Sequence, residues 1–184
     1  MDELIQDAVR RMDRSVETTQ HEFNSIRTGR ASAALLDHVR ADYYGTPTPL
    51  NQLATINVPE PRMLTIQPFD PSSVKSIEKA IMESDLGLTP SNDGKLIRLP
   101  IPQLTEERRK DLVKVVRQRA EDGRVAVRNV RRDVMHHLKD LVHNGEVGDD
   151  DERRAEERLQ KLTDEHVHRI DDLLKRKEAE ILEV

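Results

Sequence analysis

All nine prolines of this 184-residue chain lie between Pro47 and Pro102, and residues 1–29 and 105–184 contain none. Proline removes a helical hydrogen bond and clashes with the preceding turn, so a long helix must exclude it. The proline-free flanks are rich in Arg, Glu, Lys, Leu and Val, the composition of long helices, while the central segment holds Tyr43, Tyr44 and Phe69 as well as the prolines. The order therefore reads helical, mixed, helical. The boundaries place residues 1–29 and 105–184 in one discontinuous helical domain and residues 30–104 in an insert.

In the first flank Ile5, Val9, Met12, Val16, Thr19, Phe23 and Ile26 recur at alternating spacings of four and three, the seam of a helix that packs along its length. Thr105 suits an N-cap, with Glu106 and Glu107 near the positive end of the helix that follows. From there Leu112, Val116, Ala120, Val127, Val130, Val134, Leu138 and Leu141 form a second stripe, ending near His143 before Gly145 and Gly148. Gly123 reads as a soft spot within it. Asp149, Asp150 and Asp151 open a third helix, continued by Ala155, Leu159, Leu162, His166, Ile170, Leu173, Lys177 and Ile181. An elongated antiparallel three-helix bundle is the economical packing.

The insert reads as α+β. Residues 36–44, 54–58, 63–67 and 96–99 are short β-prone runs, bounded by Gly45-Thr46-Pro47-Thr48-Pro49, Pro59-Glu60-Pro61 and Asn92-Asp93-Gly94. Asp70-Pro71 resembles an N-cap followed by the first helical position, and Val74, Ile77 and Ile81 give one face of a short helix. Because the insert leaves and rejoins the bundle at nearby points, two connectors run between the domains. Gly29, Ala31 and Ser32 on one, with Pro102 and Leu104 on the other, are the expected hinge.

Composition removes several function classes. The absence of cysteine excludes disulfides, thiolate metal sites and cysteine nucleophiles. His136, His137 and His143 lie close in sequence, as do His166 and His168, but neither group has the helical spacing of a zinc site. No metal, cofactor or catalytic constellation is expected, so the chain does not read as an enzyme. It has no apolar run long enough for a membrane span and an acidic start, which leads us to expect a cytoplasmic location.

The net charge of −5 hides a strong internal division, since residues 106–139 carry a net +5 and residues 140–184 a net −7. At about 100° per residue, Lys110, Lys114, Arg117, Arg124, Arg128, Arg131 and Arg132 fall within one arc away from the apolar stripe, with Glu121 the only acid among them. Such a stripe serves either as a solvated face paired to acids on neighbouring helices or as a track for nucleic-acid phosphates. All six basic residues from 117 to 132 are arginine, whose planar fork binds phosphate bidentately, and this favours RNA.

Specific strings extend this reading: Ile26-Arg27-Thr28-Gly29-Arg30-Ala31, Tyr43-Tyr44-Gly45-Thr46-Pro47, Ser84-Asp85-Leu86-Gly87, Leu104-Thr105-Glu106-Glu107-Arg108-Arg109 and Val127-Arg128-Asn129-Val130-Arg131-Arg132. In this order, across essentially the whole chain, they resemble the bacterial ribosome recycling factor family. The resemblance implies an L-shaped, two-domain, monomeric translation factor. Such a factor binds the post-termination ribosome and, with elongation factor G and GTP, dissociates the subunits and releases the messenger RNA. It also implies that the bundle lies against large-subunit ribosomal RNA through Arg109, Arg128, Arg131 and Arg132, with Arg27 and Arg30 as weaker contacts, and that the insert faces the translocase. The alternative from another class is a non-catalytic helical adaptor for other helical proteins, whose binding would be nearly insensitive to salt.

Overall fold

The computed structural model describes residues 1–183 and divides into two compact units, Met1–Thr28 with Thr105–Val184, and Gly29–Leu104. The first consists of three helices: α1 (Asp2–Ser25), α4 (Glu106–His143) and α5 (Asp149–Leu182). Cross-helix ion pairs give their directions. Arg11 meets Asp133 and Arg119 meets Glu22, so α1 and α4 are antiparallel; Arg117 meets Glu178 and Arg124 meets Asp171, so α4 and α5 are antiparallel too.

The buried seam of α1 is Ile5, Ala8, Met12, Val16, Thr19 and Phe23. Ala8 takes the place expected for Val9, which is half-buried, and Ile26 lies beyond the helix end with an extended backbone. In α5 Thr163 is buried where Leu162 was expected. The Thr105 side chain accepts from the Arg108 amide at 3.1 Å and caps α4 as expected.

Gly123 is a point of closest approach and not the soft spot its helix propensity suggests. A Cβ added there would lie 2.3 Å from Thr19 Oγ1 and 3.2 Å from Ile170 Cδ1, so the missing side chain lets all three helices meet at one level.

Two groups inside the bundle are ionisable. His166, 5% exposed at its side chain, places Nδ1 2.6 Å from the Leu162 carbonyl oxygen and Nε2 2.9 Å from Asp13 Oδ1. Lys177 is buried beside Glu180 at 3.3 Å, and Thr28 donates to the same carboxylate at 2.9 Å.

The insert follows different rules. After a 3-10 turn (Ala33–Leu36), β1 (Arg40–Tyr43) and β2 (Thr46–Pro49) form a two-stranded antiparallel hairpin. A single helical turn, α2 (Leu50–Leu53), leads into β3 (Ala54–Glu60) and β4 (Met63–Pro68). A short 3-10 segment (Pro71–Ser73) capped by Asp70 precedes α3 (Val74–Glu83), and β5 (Ser91–Asn92) and β6 (Ile97–Pro100) complete an antiparallel sheet in the order β3-β4-β6-β5. Its core holds only aliphatic side chains, among them Leu36, Leu64, Ile66, Ile77, Ile81, Ile97 and Leu99.

The sequence reading did not include α2 or β5, and β3 runs on through Pro59 and Glu60, which were expected to be a turn; two further segments differ for reasons that can be given. Residues 46–49, expected to be a turn, form β2 despite Pro47 and Pro49. Prolines at alternate positions all point the same way, so an edge strand can keep its inward hydrogen bonds while the missing N–H groups face outward. Residues 36–39, read as part of a strand, belong to the 3-10 turn and its exit, where Ser32 accepts from the Ala34 amide and favours a helical start. Between β1 and β2 the two turn residues Tyr44 and Gly45 both have positive φ, +51° and +83°, as a type I′ hairpin requires.

Candidate nucleic-acid interface

The expected basic arc on α4 divides when its partners are traced. Arg117, Arg124 and Arg131 recur every seven residues and meet α5 in antiparallel register. Arg117 Nε donates to Glu178 at 2.5 Å, Arg124 Nε to Asp171 at 2.8 Å, and Arg131 Nη1 to the amide oxygen of Gln160 at 2.7 Å. Arg124 is the most enclosed, at 18% side-chain exposure, and also holds Glu121 at 2.7 Å. Burial works to lower its pKa, but Asp171 and Glu121 overcome this and raise it. The Glu178 hydrogen bond likewise raises that of Arg117. These two arginines are neutralised and serve the bundle.

The remaining rung has a neutral partner, which leaves the charge of Arg131 uncompensated. Arg132 is exposed and donates to the Asn129 side chain, again neutral. Arg128, also exposed, lies 3.6 Å from Glu121, which Arg124 already engages more closely. Lys110 is paired with Glu106 at 3.0 Å. Among the described residues no acid pairs with Lys114 or Lys139, which sit on the solvent flank about 40° and 20° round the helix from Arg128. The open positive charge therefore comprises Lys114 and, towards the C-terminal half of α4, the group Arg128, Arg131, Arg132 and Lys139.

Arg109 does not share this face. It falls about 100° from Arg128, in line with the core stripe, and is half-buried in the first turn of the helix. Arg27 and Arg30 are exposed, each already holds an interaction with a neighbouring group, and they belong to different units. The structure brings Arg128, Arg131 and Arg132 together on one flank of α4 and places Arg109 on another side of that helix.

Of the hinge candidates, Ala31 and Ser32 are built into the insert. The Ala31 amide donates to the Pro61 carbonyl at 2.7 Å, and Ser32 caps the 3-10 turn. Beyond them the Ile101 amide donates to the Arg62 carbonyl at 2.8 Å. Gly29 has φ +77°, and a Cβ there would lie 3.2 Å from Leu104 Cγ, so the two connectors touch at a residue only glycine fills without strain. Gly29 and residues 102–104 thus lie outside these fixed points.

Lys139 and the seven-residue arginine ladder were missed in the sequence. The spacing 117, 124, 131 with Glu178 and Asp171 seven apart was a readable signal for an interhelical ladder. Among the described residues no group of three or more potential ligands could hold a metal, and no helix is long and apolar enough to cross a membrane.

The family model for ribosome recycling factor matches residues 19–182. The chain belongs to the ribosome recycling factor family. A ribosome-recycling factor from Rubrobacter xylanophilus is 58% identical over 180 residues, covering 98% of this chain and 97% of its own. A solution structure of the ribosome recycling factor covers 100% of this chain and 97% of its own at 42% identity, with a TM-score of 0.78. Another family structure has the T. thermophilus factor and E. coli elongation factor G bound to the E. coli post-termination complex. It is 49% identical, with a TM-score of 0.64, and covers 99% of this chain and 98% of its own.

Proposed function

We propose that this chain recycles ribosomes: it binds the post-termination ribosome in the cytoplasm and, with elongation factor G and GTP, separates the subunits and frees the messenger RNA. The observation that carries this is the near-complete match to a family member bound with that elongation factor to a post-termination complex.

The open flank of α4 supplies the contact with large-subunit RNA. Arg131 and Arg132 lead, with Arg128 and Lys139 beside them, because a charge held only by a neutral amide gives up little when it turns to a phosphate. Arg109, Arg27 and Arg30 act as peripheral contacts. The chain works as a monomer and contributes binding and leverage, while the partner hydrolyses the GTP. Separation requires a bend at the connectors, about Gly29 on one and Pro102 to Leu104 on the other, since Ala31 and Ser32 are tied to the insert.

Sedimentation of post-termination ribosomes with this protein, elongation factor G and GTP, omitting each in turn, tests the reading. Subunits are expected only when all three are present, and ribosome affinity is expected to fall steeply with salt. Intact ribosomes in the complete mixture would overturn it. A disulfide engineered across the connectors is expected to stop splitting but not binding, and reduction to restore it; full activity of the oxidised form would overturn the hinge.

A further inference from the structure

Two exposed histidines extend the open flank of α4, and neither the bundle core nor the arginine ladder uses them. With Arg128 as origin and about 100° per residue, Arg132 falls at about 40°, His136 at about 80°, Lys139 at about 20° and His143 at about 60°. The steps are four, four, three and four residues, so the five side chains form one row about 23 Å long that ends in the last turn of the helix. All five are exposed. His137 falls about 180° from Arg128 and stands outside the row.

The charged neighbours leave this row open. On α4 itself Asp140 and Asp133 face His136. Asp140 Oδ2 lies 3.9 Å from His136 Nε2, beyond hydrogen-bond reach, and Asp133 is taken by Arg11 of α1 at 2.6 Å. Arg11 also holds Asp7, at 3.6 Å, and at the same end of α1 Asp2 pairs with Arg158 of α5 at 3.5 Å, while Glu3 is exposed. α5 begins with Asp149, Asp150, Asp151 and Glu152, of which Asp151 is held by Arg154 at 2.7 Å. Among the described residues none of these groups of α1 or α5 pairs with His136 or His143.

Imidazole changes its charge between about pH 5 and 8, and as a cation it donates from both ring nitrogens. We propose that the RNA contact of α4 continues to its C-terminal end through His136 and His143, which bind phosphate as imidazolium, so that the protein takes up protons as it settles on the ribosome. A phosphate brought to each ring favours the charged form, and by linkage the affinity must rise as the pH falls from about 8 to 6. The row sets fixed cations, Arg128, Arg132 and Lys139, beside two whose charge follows the phosphates they meet. The proposal rests on the recycling reading and deepens its RNA-binding part.

The test measures binding of the full-length protein to post-termination ribosomes at pH 6 and pH 8 over a range of salt. The comparison is the double variant His136→Gln with His143→Gln, whose rings become neutral amides. At pH 6 the unmutated protein is expected to bind about tenfold more tightly than the double variant, and the gap should close towards pH 8. Its affinity at pH 6 should also fall more steeply with salt, the logarithmic slope being larger by about 1.5, as two added phosphate contacts require. The double variant His136→Lys with His143→Lys should bind as tightly at pH 8 as the unmutated protein does at pH 6. Melting temperatures should match throughout, because both sites are exposed. Comparing the variants at each pH cancels the titration of the ribosome and of the other histidines. The same affinity ratio at both pH values would overturn the proposal. So would tighter binding at pH 6 with an unchanged salt slope, which would set the histidines against protein. An unmutated protein that holds no ribosomes at either pH would overturn the recycling reading and this proposal together, whereas one that holds them no differently from the glutamine variant overturns the proposal alone.

Discussion

The bundle and the insert solve the problem of register in different ways. In the insert the hydrogen bonds run between strands, pairing Ile66 with Ile97 and Leu64 with Leu99, so the backbone itself fixes which residues face each other. Its core can then be purely aliphatic. In the bundle the backbone bonds stay within each helix, and an aliphatic seam alone would let helices slide. Side chains must fix the register there: the close approach at Gly123, His166 against Asp13, and the ladder from α4 to α5. Polar groups sit inside the bundle for this reason, and the same need takes up two of the arginines that the sequence offered as RNA ligands.

If the units are as separate as this contrast implies, Ile77→Ala should unfold the insert and spare the bundle. Ile77 is fully buried in the insert core, and the truncation should cost about 3 to 4 kcal/mol. Both tyrosines lie in the insert and there is no tryptophan, so tyrosine fluorescence should melt early while helical circular dichroism persists. Coincident transitions would break the comparison.

Within the bundle, Gly123→Ala should cost about 2 kcal/mol in urea unfolding, because the added Cβ meets Thr19 Oγ1. Thr19→Ala in the same chain should recover part of it, so that the double variant loses less than the two single variants together. Additive losses would mean that the helices do not register at this point.

On α4 the effects should separate by flank. Arg131→Ala or Arg132→Ala should weaken ribosome binding by about 2 kcal/mol with little change in melting temperature. Arg117→Ala and Arg124→Ala should do the reverse, lowering the melting temperature slightly and hardly altering affinity, with the more enclosed Arg124 the larger of the two. Equal binding losses from all four would mean that the ladder is also an RNA contact.

A small, pH-dependent effect is expected at Asp13. Arg169 foremost and His166 next hold its carboxyl below the ordinary 3.8. Because the folded-state pKa is the lower one, the stabilisation is complete above the unfolded value and is lost as pH falls through the folded one. Asp13→Asn should therefore cost about 1 kcal/mol at pH 7, moderated by the partial exposure of the carboxylate, and the difference from the parent should shrink in acid. A constant difference from pH 7 down to strong acid would show that the loss is steric.

The proline distribution, the α1 and α4 seams, the Thr105 cap and the Asp70 cap all depend on residues close in sequence, so periodicity and local chemistry determined them. The strings from Ile26 to Arg132 carried the family in the same way. What tertiary structure alone decided depends on which residue faces which across tens of positions. Gly123 reads as a weak helix former until Thr19 and Ile170 are seen beside it. Pro47 and Pro49 read as a turn until β1 is placed along their strand. The basic arc reads as one surface until Glu178 and Asp171 take up Arg117 and Arg124 and leave Arg131 with only an amide. Helical angle places a charge on a face, but whether that charge is free depends on the partner opposite, and only the packed chain supplies the partner.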